Sequence, residues 1–190
     1  MSDTSSAAAV STAHLASRAR RGDREAFAEL VRRYERTALA VAFAATGDAS
    51  AAGDATQEAF LRTWQRLGAL KDDGKFPTWL CGIVRNVAVD MARRATRDHR
   101  LPGRENEDVD DIADPVAELD RRESAARVDD ALWQLDDVAR TMVVLRYYEG
   151  LSSHAIAELL ATTPTAVDMR LSRARQTLRT ILERVRTGRT

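Results

Sequence analysis

The sequence predicts an all-α protein of two small helical domains joined by a flexible acidic linker, the C-terminal domain being a helix-turn-helix. Three observations carry that expectation. Apolar residues recur at helical spacing through every patterned segment, and no run alternates in the manner of a half-buried strand. Arg97 to Pro115 interrupts the pattern with a polar, acidic stretch that has Pro102–Gly103 near its start. Near the C-terminus, only the turn Ala161 to Pro164 separates two apolar-striped segments, so the helices they form must cross at a steep angle.

Each element has its own signal. A short helix is expected around Leu15 to Arg21, ended by Gly22. Asp23 is an N-cap type, and Phe27, Leu30, Val31, Tyr34, Ala38 and Val41 follow at helical spacing. Gly47–Asp48 breaks that helix, and another is expected from about Ser50 to Leu67. Gly68 to Pro77, charged and punctuated by two Gly and a Pro, reads as a loop. Thr78 is then expected to cap a helix from Trp79 to about Arg94. Beyond the linker, patterning resumes near Ala117. Leu132 and Leu135 close one helix, Asp136 caps the next, and Gly150 stands where a C-terminal glycine belongs. Ser152 or Ser153 opens a short helix, and a long one runs from about Thr165 to Arg186.

Composition narrows the function. At 190 residues the chain suits one or two domains of roughly 100–200 residues. No stretch approaches the ~20 apolar residues of a membrane span, so no membrane insertion is expected. Met1 to Ala13 lacks a basic start and a long apolar run; it is expected to be a disordered tail and not an export signal. No extension is expected after the last helix. The lone Cys81 excludes an internal disulfide and cannot build a metal site alone, and a cytoplasmic location is expected. The net charge is zero but unevenly spread. Thr96 to Val128 holds ten acids against six Arg, whereas Asp168 to the end holds seven Arg against two acids. His14 to Ala95 leans basic, with fourteen bases against ten acids. His14, His99 and His154 are scattered, and neither paired carboxylates nor a Gly-rich phosphate loop occurs. No catalytic residue, metal or cofactor is expected.

Three surfaces stand out from plain core. On the last helix, Val167, Leu171, Ala174, Leu178 and Val185 share the inward face of a helical wheel. Thr165, Met169, Ser172, Arg173 and Gln176 face outward, with Arg170 and Arg175 on the flanks. Hydroxyls, an amide and guanidiniums suit base edges and phosphates. The plainer alternative is a helical hairpin with a basic solvent face, and Asp168 beside the stripe would repel phosphate. On the helix after Thr78, Leu80, Ile83, Val84, Val87, Ala88 and Met91 form the core face, opposite Gly82, Asn86, Val89 and Arg93 with Arg85 beside them. A charged loop lies directly upstream, and aromatics beside a basic helix face suit unpaired bases. Phe76 and Trp79 serve equally as core plugs. On the helix from Asp54, Ala59, Phe60, Thr63 and Leu67 mark the buried side, and Asp54, Gln57, Glu58, Leu61 and Gln65 the exposed one. A large Leu61 among polar groups suggests a protein-binding patch, although single surface hydrophobes are ordinary.

These residues converge on a family. Ala52-Gly53-Asp54-Ala55-Thr56-Gln57-Glu58-Ala59-Phe60-Leu61-Arg62-Thr63-Trp64 resembles the A-x-D-x-x-Q-E-x-F-x-x-x-W helix of the extracytoplasmic-function (ECF) sigma factors, which docks on the RNA polymerase clamp. Phe76-x-x-Trp79-Leu80-x-x-Ile83-x-Arg85-Asn86-x-x-x-Asp90-x-x-Arg93-Arg94 is similar to their promoter-melting segment. Tyr148-Glu149-Gly150-Leu151-Ser152, through Ile156-Ala157 to Val167-x-x-Arg170-Leu171-x-Arg173-Ala174-Arg175, resembles their upstream-element helix-turn-helix. The resemblance covers nearly all of the chain except the tail and linker.

It implies a tail over 1–13, a region 2 domain over 14–96, a flexible linker over 97–116 and a region 4 domain over 117–187. It implies core RNA polymerase and promoter DNA, both duplex and melted single strand, as partners, and allows an anti-sigma factor. Asp54, Gln57, Glu58, Leu61 and Trp64 would meet the clamp. Leu70, Lys71, Asp72, Asp73, Gly74 and Lys75 would capture an extruded base of the start-proximal element, and Arg85, Asn86 and Arg93 would hold the opened strand. Thr165, Asp168, Met169, Arg170, Ser172, Arg173 and Gln176 would meet the upstream element. The family usually has a basic residue at Asp168, a Ser at Met169 and Gly-Thr at Thr165–Ala166, which implies an altered upstream preference. A helix-turn-helix activator with an N-terminal helical sensor domain is the alternative function; it would bind duplex DNA without polymerase.

Overall fold

The computed structural model describes residues 10–97, 127–128 and 130–187. Helix α1 (Thr12–Arg20) starts where the Ser11 hydroxyl accepts from the His14 amide at 3.2 Å. Asp23 then caps α2 (Arg24–Thr46), accepting from the Ala26 amide at 3.0 Å and pairing with Arg18 at 2.7 Å. The Ala26 amide, and after it Arg18, hold the Asp23 carboxyl below its ordinary range. Helix α2 ends at Gly47, whose φ of 69° is a left-handed conformation that a side chain disfavours. Asp48 caps α3 (Ala49–Arg66), accepting from the Ala51 amide at 2.7 Å. Two 3-10 turns, Leu67–Ala69 and Asp73–Lys75, lead into α4 (Phe76–Arg97).

Helices α1 to α4 share one core. Leu30, Val41, Phe76, Leu80, Val84 and Val87 are fully buried, and Phe76 packs at a tilt against Tyr34 with centroids 5.8 Å apart. The buried Ala38, Ala42, Ala52, Ala55 and Ala59 let α2 and α3 approach closely. Buried Thr63 satisfies its hydroxyl by donating to the Ala59 carbonyl at 2.7 Å.

The second unit opens with helical turns at 127–128 and 130–133. Asp136 caps α5 (Asp137–Tyr147) through the Val138 and Ala139 amides. Gly150, at φ 66°, reverses the chain, and the Leu151 amide donates to the Leu145 carbonyl at 3.1 Å. Ser152 caps the short α6 (Ser153–Leu159), and the Thr163 hydroxyl accepts from the Ala166 amide to open α7 (Pro164–Thr187). Ile156, Ala157, Val167, Leu171 and Ala174 fill the angle between α6 and α7. Helix α5 also packs along α2, and α6 meets α4, so the two units touch.

The all-α expectation holds: the described residues contain no strand. Three details differ. Helix α1 begins at Thr12, inside the expected tail, because Ser11 supplies a cap; residues 1–9 lie outside the described residues. Gly68 to Pro77 is wound into 3-10 turns where an open loop was expected. Helix α4 begins at Phe76, and Thr78 is in its first turn, its hydroxyl donating to the Glu158 carbonyl of α6 instead of capping. Pro77 fits there because a first-turn residue needs no amide hydrogen. Of the expected linker, Arg97 ends α4, and the rest lies outside the described residues.

Candidate nucleic-acid and protein interfaces

The first surface is a groove of about 560 Å³ between α2 and α3. Phe27 lines it, tilted against Trp64 with centroids 5.0 Å apart and edge-on to Phe60 at 6.5 Å. Leu61 is 59% exposed at the rim, where Gln57, Arg24 and Glu35 surround it with polar groups. Asp54 and Gln57 are exposed, Trp64 is half-buried, and Arg62 holds Glu58 at 2.6 Å one turn away. Asp54, Gln57, Glu58, Leu61 and Trp64 therefore share one helix and one side of the molecule. Sequence reasoning missed the opposite wall, Phe27, Val31 and Glu35 on α2. Phe27 and Val31 lie four residues apart and share the helical spacing of buried Leu30; only packing reveals that they line a groove. Thr56 also lines it, its buried hydroxyl without a hydrogen-bond partner.

The second surface is the outer face of α4 and the turn before it. Arg85, Asn86, Asp90 and Arg93 are exposed, opposite the buried Leu80, Val84, Val87 and Ala88. Lys71, Asp72, Gly74 and Lys75 also face outward. Leu70 does not: it is a core residue, and its carbonyl accepts from Arg20 at 3.4 Å. Asp73 is half-buried and pairs with the same guanidinium at 3.3 Å, while the Asp72 carboxylate accepts from the Gly74 amide at 2.9 Å. Arg20 of α1 thus ties the turn to the body, a contact across fifty-three positions that no local pattern announces. Phe76 is entirely buried and Trp79 half-buried, so Phe76 is a core plug.

The third surface is α7. Thr165, Asp168, Met169, Arg170, Ser172, Arg173 and Gln176 are all exposed, with Met169 at 52%, while Val167, Leu171 and Ala174 are buried. Leu178 is half-buried; the side chain of Val185 lies outside the described residues. Thr177, Thr180 and Ile181 extend the face along a shallow depression that Arg173 and Gln176 share. The Ser153 hydroxyl donates to Asp168 at 2.5 Å, tying the start of α6 to α7. One oxygen of this carboxylate, a group that repels phosphate, is thereby occupied within the hairpin. Sequence reasoning named Ser153 only as a possible helix start.

Among the described residues no three His, Cys, Asp or Glu gather to hold a metal ion. Burial pushes the Cys81 thiol up to about 12, leaving it inert at neutral pH. Among the described residues no helix is long and apolar enough to cross a membrane.

Comparison with known proteins agrees with the geometry. The Sigma-70 region 2 family matches residues 30–98, and Sigma-70, region 4 matches residues 125–178. The ECF RNA polymerase sigma factor SigW of Bacillus subtilis is 30% identical over 84% of this chain and 90% of its own length. The probable RNA polymerase sigma factor RfaY of Xanthomonas campestris is 35% identical over 83% of this chain, which spans 40% of that longer relative. A solved structure of CnrH in complex with the cytosolic domain of CnrY superposes with a TM-score of 0.64 at 26% identity, covering 90% of this chain and 97% of that one. The chain belongs to the ECF group of RNA polymerase sigma factors, which bind core polymerase and direct it to promoter DNA.

Proposed function

We propose that the three exposed surfaces divide the work of initiation. The α2–α3 groove, with Leu61 at its rim and Asp54, Gln57, Glu58 and Trp64 around it, docks on the polymerase clamp. Arg85, Asn86 and Arg93 of α4 hold the opened start-proximal strand, and the turn over Lys71, Asp72, Gly74 and Lys75 receives an extruded base. Leu70 and Asp73 support that turn from within. The outer face of α7 reads the upstream duplex through Thr165, Met169, Arg170, Ser172, Arg173 and Gln176, with the charge of Asp168 tempering the strength of that contact. In this reading residues 14–96 and 117–187 are the two working domains and 97–116 the linker between them. The protein works in the cytoplasm and contributes no catalytic group. Unstacking a base costs a few kcal/mol, which contacts to the flipped base offset.

The observation that carries the reading is the separation of a Leu-centred apolar groove from two basic faces, each on a different helix. A zero net charge disfavours tight nonspecific DNA binding by the free chain. Two weak DNA contacts on one chain then gain from effective concentration once polymerase holds both. CnrH has been solved with the cytosolic domain of CnrY, and an anti-sigma factor is a further partner in this reading.

Run-off transcription with core polymerase and a library of genomic fragments tests it. The chain is expected to direct initiation from a discrete set of fragments. Initiation unchanged by its omission, or no association with core polymerase, would overturn the reading. A gel shift with the chain alone separates it from the activator alternative, since an activator would retard duplex promoter DNA without polymerase.

A further inference from the structure

The start of α7 is held from three sides. The Thr162 amide donates to the Ala157 carbonyl at 2.9 Å, the Thr163 hydroxyl accepts from the Ala166 amide at 3.2 Å, and the Ser153 hydroxyl donates to Asp168 at 2.5 Å. Ala161, in the turn between α6 and α7, takes a left-handed φ of 51°. Val167, Leu171 and Ala174 are buried beneath. The first two turns of α7 therefore have little freedom to rotate about the helix axis.

That fixed stretch presents one side chain unlike its neighbours. Among the described residues of α7, Met169 is the one large hydrophobic that is exposed. It stands at the centre of the outward stripe: Thr165 lies four residues before it, Ser172 three and Arg173 four after, and all are exposed. A lone exposed hydrophobe is ordinary on a solvated surface. Met169, however, occupies the second turn of a recognition helix, whose N-terminal part meets base edges in the major groove. Base pairs line that groove with hydrogen-bonding atoms, and the thymine C5 methyl is the apolar exception. Against a purine the thioether would cover N7 without bonding to it, and cytosine carries hydrogen where thymine carries methyl. A flexible methionine can settle on such a methyl.

We propose that Met169 selects a thymine in the upstream element by packing on its C5 methyl. The inference rests on the assignment of the α7 face to the upstream duplex made above. Thr165, Ser172 and Arg173 supply hydrogen bonds and charge on either side, and Met169 supplies the apolar discrimination between them. Covering one methyl group corresponds to about a fourfold preference for thymine over deoxyuridine.

The test uses polymerase complexes of the full chain and of Met169→Ser, each selecting from a promoter recovered in the run-off experiment with its upstream element randomised. The parent complex is expected to enrich thymine at one position, and Met169→Ser to lose that enrichment while keeping the others. Deoxyuridine is then placed at that position. The parent complex should bind it about fourfold more weakly than thymine, and Met169→Ser should bind both alike. Met169→Leu, still apolar, should keep the discrimination. Upstream selection without a thymine that depends on Met169 would overturn the proposal and leave the assignment of α7 standing. So would equal binding of thymine and deoxyuridine by the parent complex. Selection of no upstream base at all would overturn the assignment of α7 itself.

Discussion

A leucine 59% exposed between Gln57 and Glu58 on one side and Trp64 on the other contributes little to folding, because water reaches most of it already. Its worth is realised only when a partner covers it. Leu61→Asp is therefore expected to leave unfolding free energy within about 0.5 kcal/mol of the parent. Affinity for core polymerase should fall at least tenfold, on the order of 1.4 kcal/mol, as for a buried anchor at an interface centre. Urea titration and a polymerase-binding isotherm check the two halves; equal losses in both would make Leu61 a folding residue. Cys81 is the opposite case, invisible to partners but coupled to pH. Burial raises its thiol from 9.0 to about 12. Above pH 9 the unfolded chain releases a proton that the folded chain retains, so stability falls as pH climbs from about 9 toward 12 and is unaffected below that. The alkaline decline of the parent should be steeper than that of Cys81→Ala over the same window, measured by urea unfolding at stepped pH. Parallel declines would mean the thiol ionises alike in both states.

Helices α6 and α7 were legible because one rule governs them: Val167, Leu171 and Ala174 recur at helical spacing, all three are buried, and the polar residues between them are left outside. The α4 face was legible for the same reason. The turn before α4 was not, since Arg20 holds it from α1 and spacing within a segment carries no record of that contact. The α2 wall of the groove was missed for a related reason: Phe27 and Val31 fit the core pattern and line the groove as well. The role of Asp168 also depended on a partner, Ser153, fifteen residues away. Two predictions belong to α7. Arg173→Ala should weaken upstream-duplex binding by the polymerase complex and, if the side chain meets a phosphate, lower the salt slope by about one. Asp168→Asn keeps an acceptor for Ser153 and removes a like charge from the DNA face, so binding should tighten by roughly 0.5–1 kcal/mol on all upstream sequences alike. A changed preference at a single base pair, scored on a randomised upstream element, would instead make Asp168 a base reader.

At the scale of the whole molecule, Gly47 and Trp133 each have a sufficient local explanation, one as a helix terminator and the other as a half-exposed aromatic near the end of a helix. Nothing in sequence spacing joins them, and the contact between the two units was accordingly absent from the expected architecture. A double-substitution cycle isolates it. Gly47→Ala alone must accommodate a side chain at φ 69°, which costs roughly 1–2 kcal/mol, and must also displace the Trp133 ring. Trp133→Ala alone loses the indole's packing and its stacking with Arg140. In the double variant the backbone strain remains but no ring is left to displace. Gly47→Ala should therefore be milder in the Trp133→Ala background than in the parent, by about 1 kcal/mol or more in urea unfolding of the four proteins. Strict additivity would mean that ring and glycine do not meet in solution.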